Sequence, residues 1–400
     1  MYSGSMPATR KQSTPENFYH MLLSNPSISD KVFSALSPAS LVRFSRTSTR
    51  ARRAVQSYSR IAYSIDRHLT RFFPHPRVFR ALQARTGTLI SGSNALQFLD
   101  RTFYADSDLD LYVEGRHASE VGEWLGGSGW RFEPSAKQSG TFEESLKVRL
   151  EGEDPLPEEA DFLPQSNPGW YFMRGVGMVF NFTKPEVPGV SEALKIQLIT
   201  ATLTPMEIIL QFHSTCVMNI ISFENAYSLY PKATFEERRA LIVATAGPKQ
   251  EAGRKKYADR GWKMLEKIPP DVRYPNSSFR LGDRWLGDSQ TWTLPLDTST
   301  LQLTPPPGCP SDFVFDDNLA IHNWILGKDS DRNAEMQFAV LSTPSMQHNY
   351  VAGIAALVKD LCSTLRETDS RGRGQFFLDA KVKSWLKEGY AWLDGKRRFQ

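Results

Sequence analysis

Asp106, Asp108 and Asp110 alternate along the run Asp106-Ser-Asp-Leu-Asp-Leu-Tyr-Val113. Side chains alternate between faces in an extended strand, so Asp108 and Asp110 share one face and Leu109 and Leu111 the other. Two neighbouring carboxylates repel, and a cation between them or a proton on one relieves the repulsion. Upstream, Leu89-Ile-Ser-Gly-Ser93 is an apolar run that ends in a Gly-Ser turn. Gly92 would let the backbone approach a phosphate closely, and Ser93 adds a hydroxyl donor. A helix from Asn94 would aim its free N–H groups at the same anion. Mg²⁺ held by Asp108 and Asp110 would bridge to the phosphates and stabilise an in-line displacement. The chemistry these residues could do is nucleotidyl transfer. Asp108 and Asp110 are its candidate catalytic, metal-binding residues; Gly92 and Ser93 are its candidate nucleotide-binding residues.

These segments resemble the nucleotidyltransferase superfamily, the polymerase-beta-like fold. That pattern is an apolar strand, Gly-Gly or Gly-Ser, a spacer, then Asp-h-Asp/Glu-h with h apolar. Ile90-Ser-Gly92-Ser93 and Asp108-Leu-Asp110-Leu match it, across a slightly long spacer at 94–107. The resemblance spans roughly residues 85–245 and implies a third carboxylate on a later strand. The matching segment, Leu194-Lys-Ile-Gln-Leu-Ile199, carries Gln197 in the central slot. A neutral amide is a poor substitute for a carboxylate ligand. Glu159 and Asp161 would replace it only if their loop folded back. Two readings stay open: a nucleotidyltransferase-like domain with reduced or absent catalysis, or a Mg²⁺-dependent nucleotidyltransferase with an unspecified acceptor. An EF-hand is excluded, because Asp110 is followed by Leu111 without the required Gly and distal Glu.

The elements that must position these residues follow from periodicity and end signals. Strands are expected at 87–91, 108–113, 147–150, 176–182 and 194–200. Helices are expected at 94–103 and 117–125. Thr204-Pro-Met-Glu207 and Thr234-Phe-Glu-Glu237 are capping signatures, the second opening a helix to about 245. Residues 151–170 read as an acidic, Pro-rich loop. Residues 269–312 are rich in turn formers, and helices are expected at 351–365 and 381–393. His213 and Cys216 read as a buried pair at the end of the Thr204 helix, in preference to a metal site or a nucleophile. Arg254-Lys-Lys-Tyr-Ala-Asp-Arg-Gly-Trp262 reads as a solvated helix face with Trp262 buried.

The N-terminal part is helical and basic. Residues 1–85 carry 14 Lys/Arg against 3 Asp/Glu, an imbalance that suits an acidic partner. Residues 27–57 resemble an F-box: a short helix, Leu36-Ser-Pro-Ala-Ser-Leu41, then Phe44-Ser-Arg-Thr-Ser48, with Pro26-Ser-Ile28 in place of the usual Leu-Pro. The resemblance implies docking on a Skp-type adaptor of an SCF ubiquitin ligase through Val32, Phe33, Leu36, Pro38, Leu41, Val42 and Phe44. An ordinary amphipathic helical cap is the alternative. The segment from Phe212 to Tyr230 is similar to one in basidiomycete fungal proteins that join an F-box-like start to a nucleotidyltransferase-like centre.

The whole chain of 400 residues, 40% hydrophobic and 23% charged, has globular composition. Its net charge of +4 is too small to imply nucleic acid as a partner. Cys216, Cys309 and Cys362 lack the spacing of a disulfide framework or a zinc site. No signal peptide or membrane span is legible, so an intracellular location, cytoplasmic or nuclear, is expected. The expected fold is α+β. It comprises a disordered tail (1–18), a helical F-box-like module (19–80), a nucleotidyltransferase-like mixed sheet flanked by helices (81–265), and an irregular C-terminal extension (266–400).

Overall fold

A computed structural model describes residues 21, 23–152, 175–186, 192–243, 247–274, 276–305, 315–342, 346, 348–353, 382 and 384. The chain divides into two compact units, residues 1–64 and 65–400.

The first unit holds three helices: α1 (Pro26–Ala35), α2 (Pro38–Ser45) and α3 (Thr49–Ala62). Each begins where the sequence supplies an acceptor for the free N–H groups of a first turn. Asn25 caps α1, Ser37 accepts from Ser40 N before α2, and Ser48 accepts from Ala51 N before α3. Phe33, Leu41, Val55 and Tyr58 form the core, with Leu23, Leu36 and Phe44 packed against it.

The second unit is α+β. In chain order it holds α4 (Ile65–Leu69), α5 (Pro76–Thr86), β1 (Leu89–Ser91), α6 (Gly92–Asp100), β2 (Leu109–Glu114), α7 (Ala118–Gly127), β3 (Arg131–Glu133) and α8 (Phe142–Gly152). Next come β4 (Val176–Lys184), β5 (Leu194–Ala201), α9 (Pro205–Ile209), β6 (Asn219–Ile221), β7 (Asn225–Ser228), β8 (Arg239–Leu241), α10 (Pro248–Asp259) and β9 (Lys263–Leu265). The last described strands are β10 (Gly282–Trp285), β11 (Trp292–Pro295), β12 (Asn323–Lys328), β13 (Ala334–Gln337), β14 (Ala339–Leu341) and β15 (Tyr350–Ala352).

Eight strands form one mixed sheet in the order β11-β7-β6-β1-β2-β5-β4-β3. Only β2 and β5 run parallel; their neighbours are antiparallel. The β2–β5 register sets Asp110 opposite Gln197, and β1 sets Ser91 opposite Asp110 on its other side. One face of these strands is apolar and buried, through Leu109, Leu111, Ile196, Leu198, Phe180 and Phe182. Against α7, a Cβ at Gly122 would lie 2.1 Å from the Phe142 ring, so only glycine admits that ring.

The structure revises several expected elements. Residues 147–150 lie in α8, not in a strand. Thr141 Oγ1 accepts from Glu144 N, Glu143 and Glu144 favour the helix start, and Phe142 and Leu146 are buried at helical spacing. Thr234-Phe-Glu-Glu237 opens no long helix. A single π-type turn, Lys232–Glu236, ends at Arg238, which is left-handed (φ 48°), and Ala240 and Leu241 then pair in parallel with Met264 and Leu265. The Thr204 helix stops at Ile209, so His213 and Cys216 lie beyond it. The expected 351–365 helix starts instead as β15, since Val351 and Ala352 pair with Val340 and Ala339. The C-terminal region supplies β11 to the main sheet and the three-stranded sheet β10-β12-β13. The tail at 1–18, the 151–170 loop beyond Gly152, and most of the 381–393 helix lie outside the described residues.

Candidate functional site

Gly92 opens α6 in the left-handed region (φ 67°), and a Cβ there would come within 3.0 Å of Asp110 Oδ2. The turn therefore needs glycine twice, for its conformation and for the carboxylate beside it. That carboxylate lies at the start of α6, where the family resemblance places a phosphate. Ser93 is likewise engaged by protein: its hydroxyl is 2.7 Å from Ser107 Oγ. The structure thus brings Gly92, Ser93, Asp108 and Asp110 together. Glu159 and Asp161 lie outside the described residues.

Around the two aspartates stand cations and an amide. Lys195 Nζ is 3.7 Å from Asp108 Oδ2. Gln197 meets Asp110 and Lys195 when its Nε2 donates to Asp110 Oδ1 (3.3 Å) and its Oε1 accepts from Lys195 Nζ (3.2 Å), and the Asn181 amide, 3.0 Å away, must then turn to donate to it as well. The opposite orientation would set a carbonyl against a carboxylate and an amide N–H against an ammonium. From the far side, α10 and the residue after it add Lys256, 3.6 Å from Asp106 Oδ2, and Arg260, whose Nη2 reaches both Asp106 oxygens at 2.9 and 3.1 Å. The Arg260 guanidinium stacks 3.7 Å above the Tyr104 ring. Burial favours a proton on Asp106, but Arg260 and Lys256 outweigh it and hold that carboxyl below its usual range.

Asp110 is half-buried among protein atoms. Burial first, and the charge of Asp108 second, push its carboxyl up to about 7, against the pull of Lys256 and Lys195. Near neutral pH the pair therefore relieves its repulsion in part by a proton on Asp110, and Lys195 supplies a cation to Asp108.

A divalent ion fits this arrangement poorly. Mg²⁺ demands near-octahedral oxygen ligands at about 2.0–2.1 Å. Here the third strand offers an amide engaged with Asp110 and Lys195, and an ion bridging Asp108 to a ligand would have to displace the Lys195 ammonium. A second acidic group lies elsewhere: carboxylate oxygens of Glu224, Asp316 and Asp317 sit within 4.8 Å of one another. Asp317 Oδ2 already accepts from Ser222 Oγ, Asn225 Nδ2 and Tyr227 OH, which ties the segment after 315 to the β6–β7 turn.

His213 and Cys216 share the hydroxyl of Ser214, at 2.8 and 3.4 Å. Burial, with Arg254 adding to it, lowers His213 to about 4, and burial raises the Cys216 thiol to about 12. Imidazole and thiol are thus both uncharged near neutral pH; Cys216 is fully buried, whereas His213 is only partly buried, short of the buried pair expected. Trp262 is buried, its indole N–H donating to Thr234 O at 3.0 Å.

The F-box-like residues divide by exposure. Phe33, Pro38 and Leu41 are buried in the first unit, and Leu36 and Phe44 pack against its core. Val32 and Val42 are 39% and 42% exposed, so they remain available to a partner.

Sequence reasoning missed Lys195, Lys256, Tyr257 and Arg260 as parts of the aspartate site. Lys195 was detectable: two residues before Gln197 on a strand, it shares that residue's face. No family model matches the chain, and no curated protein or solved structure matches it either. Among the described residues, no helix is long and apolar enough to cross a membrane.

Proposed function

We propose that residues 65–400 form a nucleotidyltransferase-like binding domain with reduced or absent catalysis. It belongs to an intracellular adaptor whose F-box-like first unit docks a Skp-type partner. The observation that carries the binding reading is the Lys195 ammonium, 3.7 Å from Asp108, beside a Gln197 amide where a third carboxylate is needed. A fixed ammonium compensates charge but opens no coordination position for a nucleotide or its leaving group, so two-metal nucleotidyl transfer lacks its scaffold. The test is incubation with labelled nucleoside triphosphates, Mg²⁺ or Mn²⁺, and RNA and protein acceptors. Incorporation no higher than in Asp108→Asn is expected. Transfer that Asp108→Asn abolishes would sink the proposal.

Exposed Val32 and Val42 support the docking half, because both lie in the F-box-like stretch and neither is consumed by the unit's own core. Val32→Asp plus Val42→Asp leaves that core intact, whereas substituting Leu41 would unfold it. A purified Skp-type adaptor should bind the wild type and not the double variant. No binding by the wild type would end the docking idea.

A further inference from the structure

The helix α10 reaches the aspartate site from across the chain. Lys256 Nζ lies 3.6 Å from Asp106 Oδ2, and Arg260, just past the helix, donates to both Asp106 oxygens. Burial and Asp108 raise the Asp110 carboxyl, and Lys256 is the foremost charge opposing them. The Tyr257 ring packs on the His213 ring, 5.6 Å between centroids. Burial first, then Cys216 and more weakly Asp110, raise the Tyr257 phenol, so α10 sets this ring beside both groups. At Gly253 the helix backbone meets the same imidazole: a Cβ there would lie 2.8 Å from His213 Nε2. Lys256 and Tyr257 thus cover the Asp110 side of the polar face.

Little apolar packing holds this cover down. Tyr257 is the one buried residue among the twelve of α10, whereas α6, nine residues long, buries six. A helix polar on nearly every side gains little from the core beneath it. Its tie to the aspartate loop is wet, because Asp106 is 69% exposed and water screens both of its ion pairs. Glycines in the left-handed region stand at both ends, Gly247 (φ 107°) before the helix and Gly261 (φ 99°) after it. Outside those glycines the chain is fixed: Val243 N donates to His213 O, and the buried Trp262 donates to Thr234 O. Few buried contacts between two permissive glycines mark an element that opens while its surroundings stay folded.

We propose that α10 is a lid, hinged at Gly247 and Gly261 and latched by Lys256 and Arg260 on Asp106, which closes the Asp110 side of the site. Releasing the latch lifts Lys256 and Tyr257 away from Asp110 and admits solvent or a ligand there. The inference concerns access to the site and holds whether or not the site transfers nucleotides, so the transfer assay and the test below fail independently.

The test is hydrogen–deuterium exchange of the full chain, read by mass spectrometry, with residues 248–260 and 194–201 followed together. α10 is expected to exchange by local opening, well ahead of β5. Asp106→Asn should speed α10 about fivefold, as loss of an exposed pair implies, and leave β5 unchanged. Asp106→Glu should keep the wild-type rate. Raising NaCl should speed α10 in the wild type and not in Asp106→Asn, because salt acts on the latch. Maleimide labelling of Cys216, assigned by peptide mapping, should rise with the α10 rate, since that buried thiol lies beside Tyr257. Exchange of α10 only together with β5 overturns the proposal. So does an Asp106→Asn effect that is absent or shared by β5, a salt response that survives in that variant, or Cys216 labelling indifferent to it.

Discussion

Replacing Asp110 by Asn should stabilise the second unit at alkaline pH. The Asp110 carboxyl sits at about 7 in the folded chain against 3.8 as its ordinary value. A shift of that size corresponds to roughly 4 kcal/mol at about 1.4 kcal/mol per unit, and partial solvent access lowers the expectation to about 2–4 kcal/mol. The sign follows from proton linkage. The folded state binds the Asp110 proton more tightly than the unfolded chain, so stability falls as pH rises from about 4 to about 7, then levels off. Asn keeps the size and removes the charge, and the Gln197 amide can turn to meet it. Lys195 keeps Asp108 and Lys256 keeps Asp106. Urea unfolding followed by tryptophan fluorescence isolates the unit, because all nine tryptophans lie beyond residue 64. The gain from Asp110→Asn should be full at pH 8 and shrink steadily toward pH 4. A variant destabilised at pH 8 would refute the reasoning, since it would mean that the Asp110 charge has a partner worth more than its burial costs.

Two further substitutions test the packing that holds the site. Arg284 is buried on Asp288 (Nε to Oδ2, 2.5 Å) and donates to Leu229 O. Arg284→Met should cost about 3 kcal/mol, the low end for a broken buried pair, because Gln290 N and Thr291 Oγ1 still serve Asp288. A urea midpoint within error of wild type would contradict it. Gly92→Ala should cost about 1–2 kcal/mol through left-handed strain and the approach to Asp110; an unchanged midpoint would mean that the carboxylate does not press on this turn.

The sequence made the aspartate strand legible because its two faces differ so sharply: Leu109 and Leu111 are fully buried, while Asp108 and Asp110 line the polar face. The register of β2 and β5 sets Asp110 and Gln197 as neighbours. What local pattern hid was supplied by distant chain. Lys256 and Arg260 reach Asp106 across some 150 residues, a pairing that no spacing rule encodes. Local signals also misled where two were in conflict. Lys147-Val-Arg-Leu150 alternates like a strand, yet the cap at Thr141 and the buried Phe142 and Leu146 make it helix. Thr234 begins a capping box, yet strand pairing of Arg239–Leu241 with Lys263–Leu265 takes the chain before a helix can extend.

The central claim is that Lys195 beside Asp108 and a proton on Asp110, not a divalent ion, relieve the repulsion between the two carboxyls. Titration of Mn²⁺ into the full chain, followed by electron paramagnetic resonance with wild type and Asp108→Asn side by side, addresses it most directly. The account predicts that the two proteins bind Mn²⁺ alike, any uptake belonging to other acidic groups such as Glu224, Asp316 and Asp317. Saturable Mn²⁺ binding in the wild type that Asp108→Asn removes would contradict it.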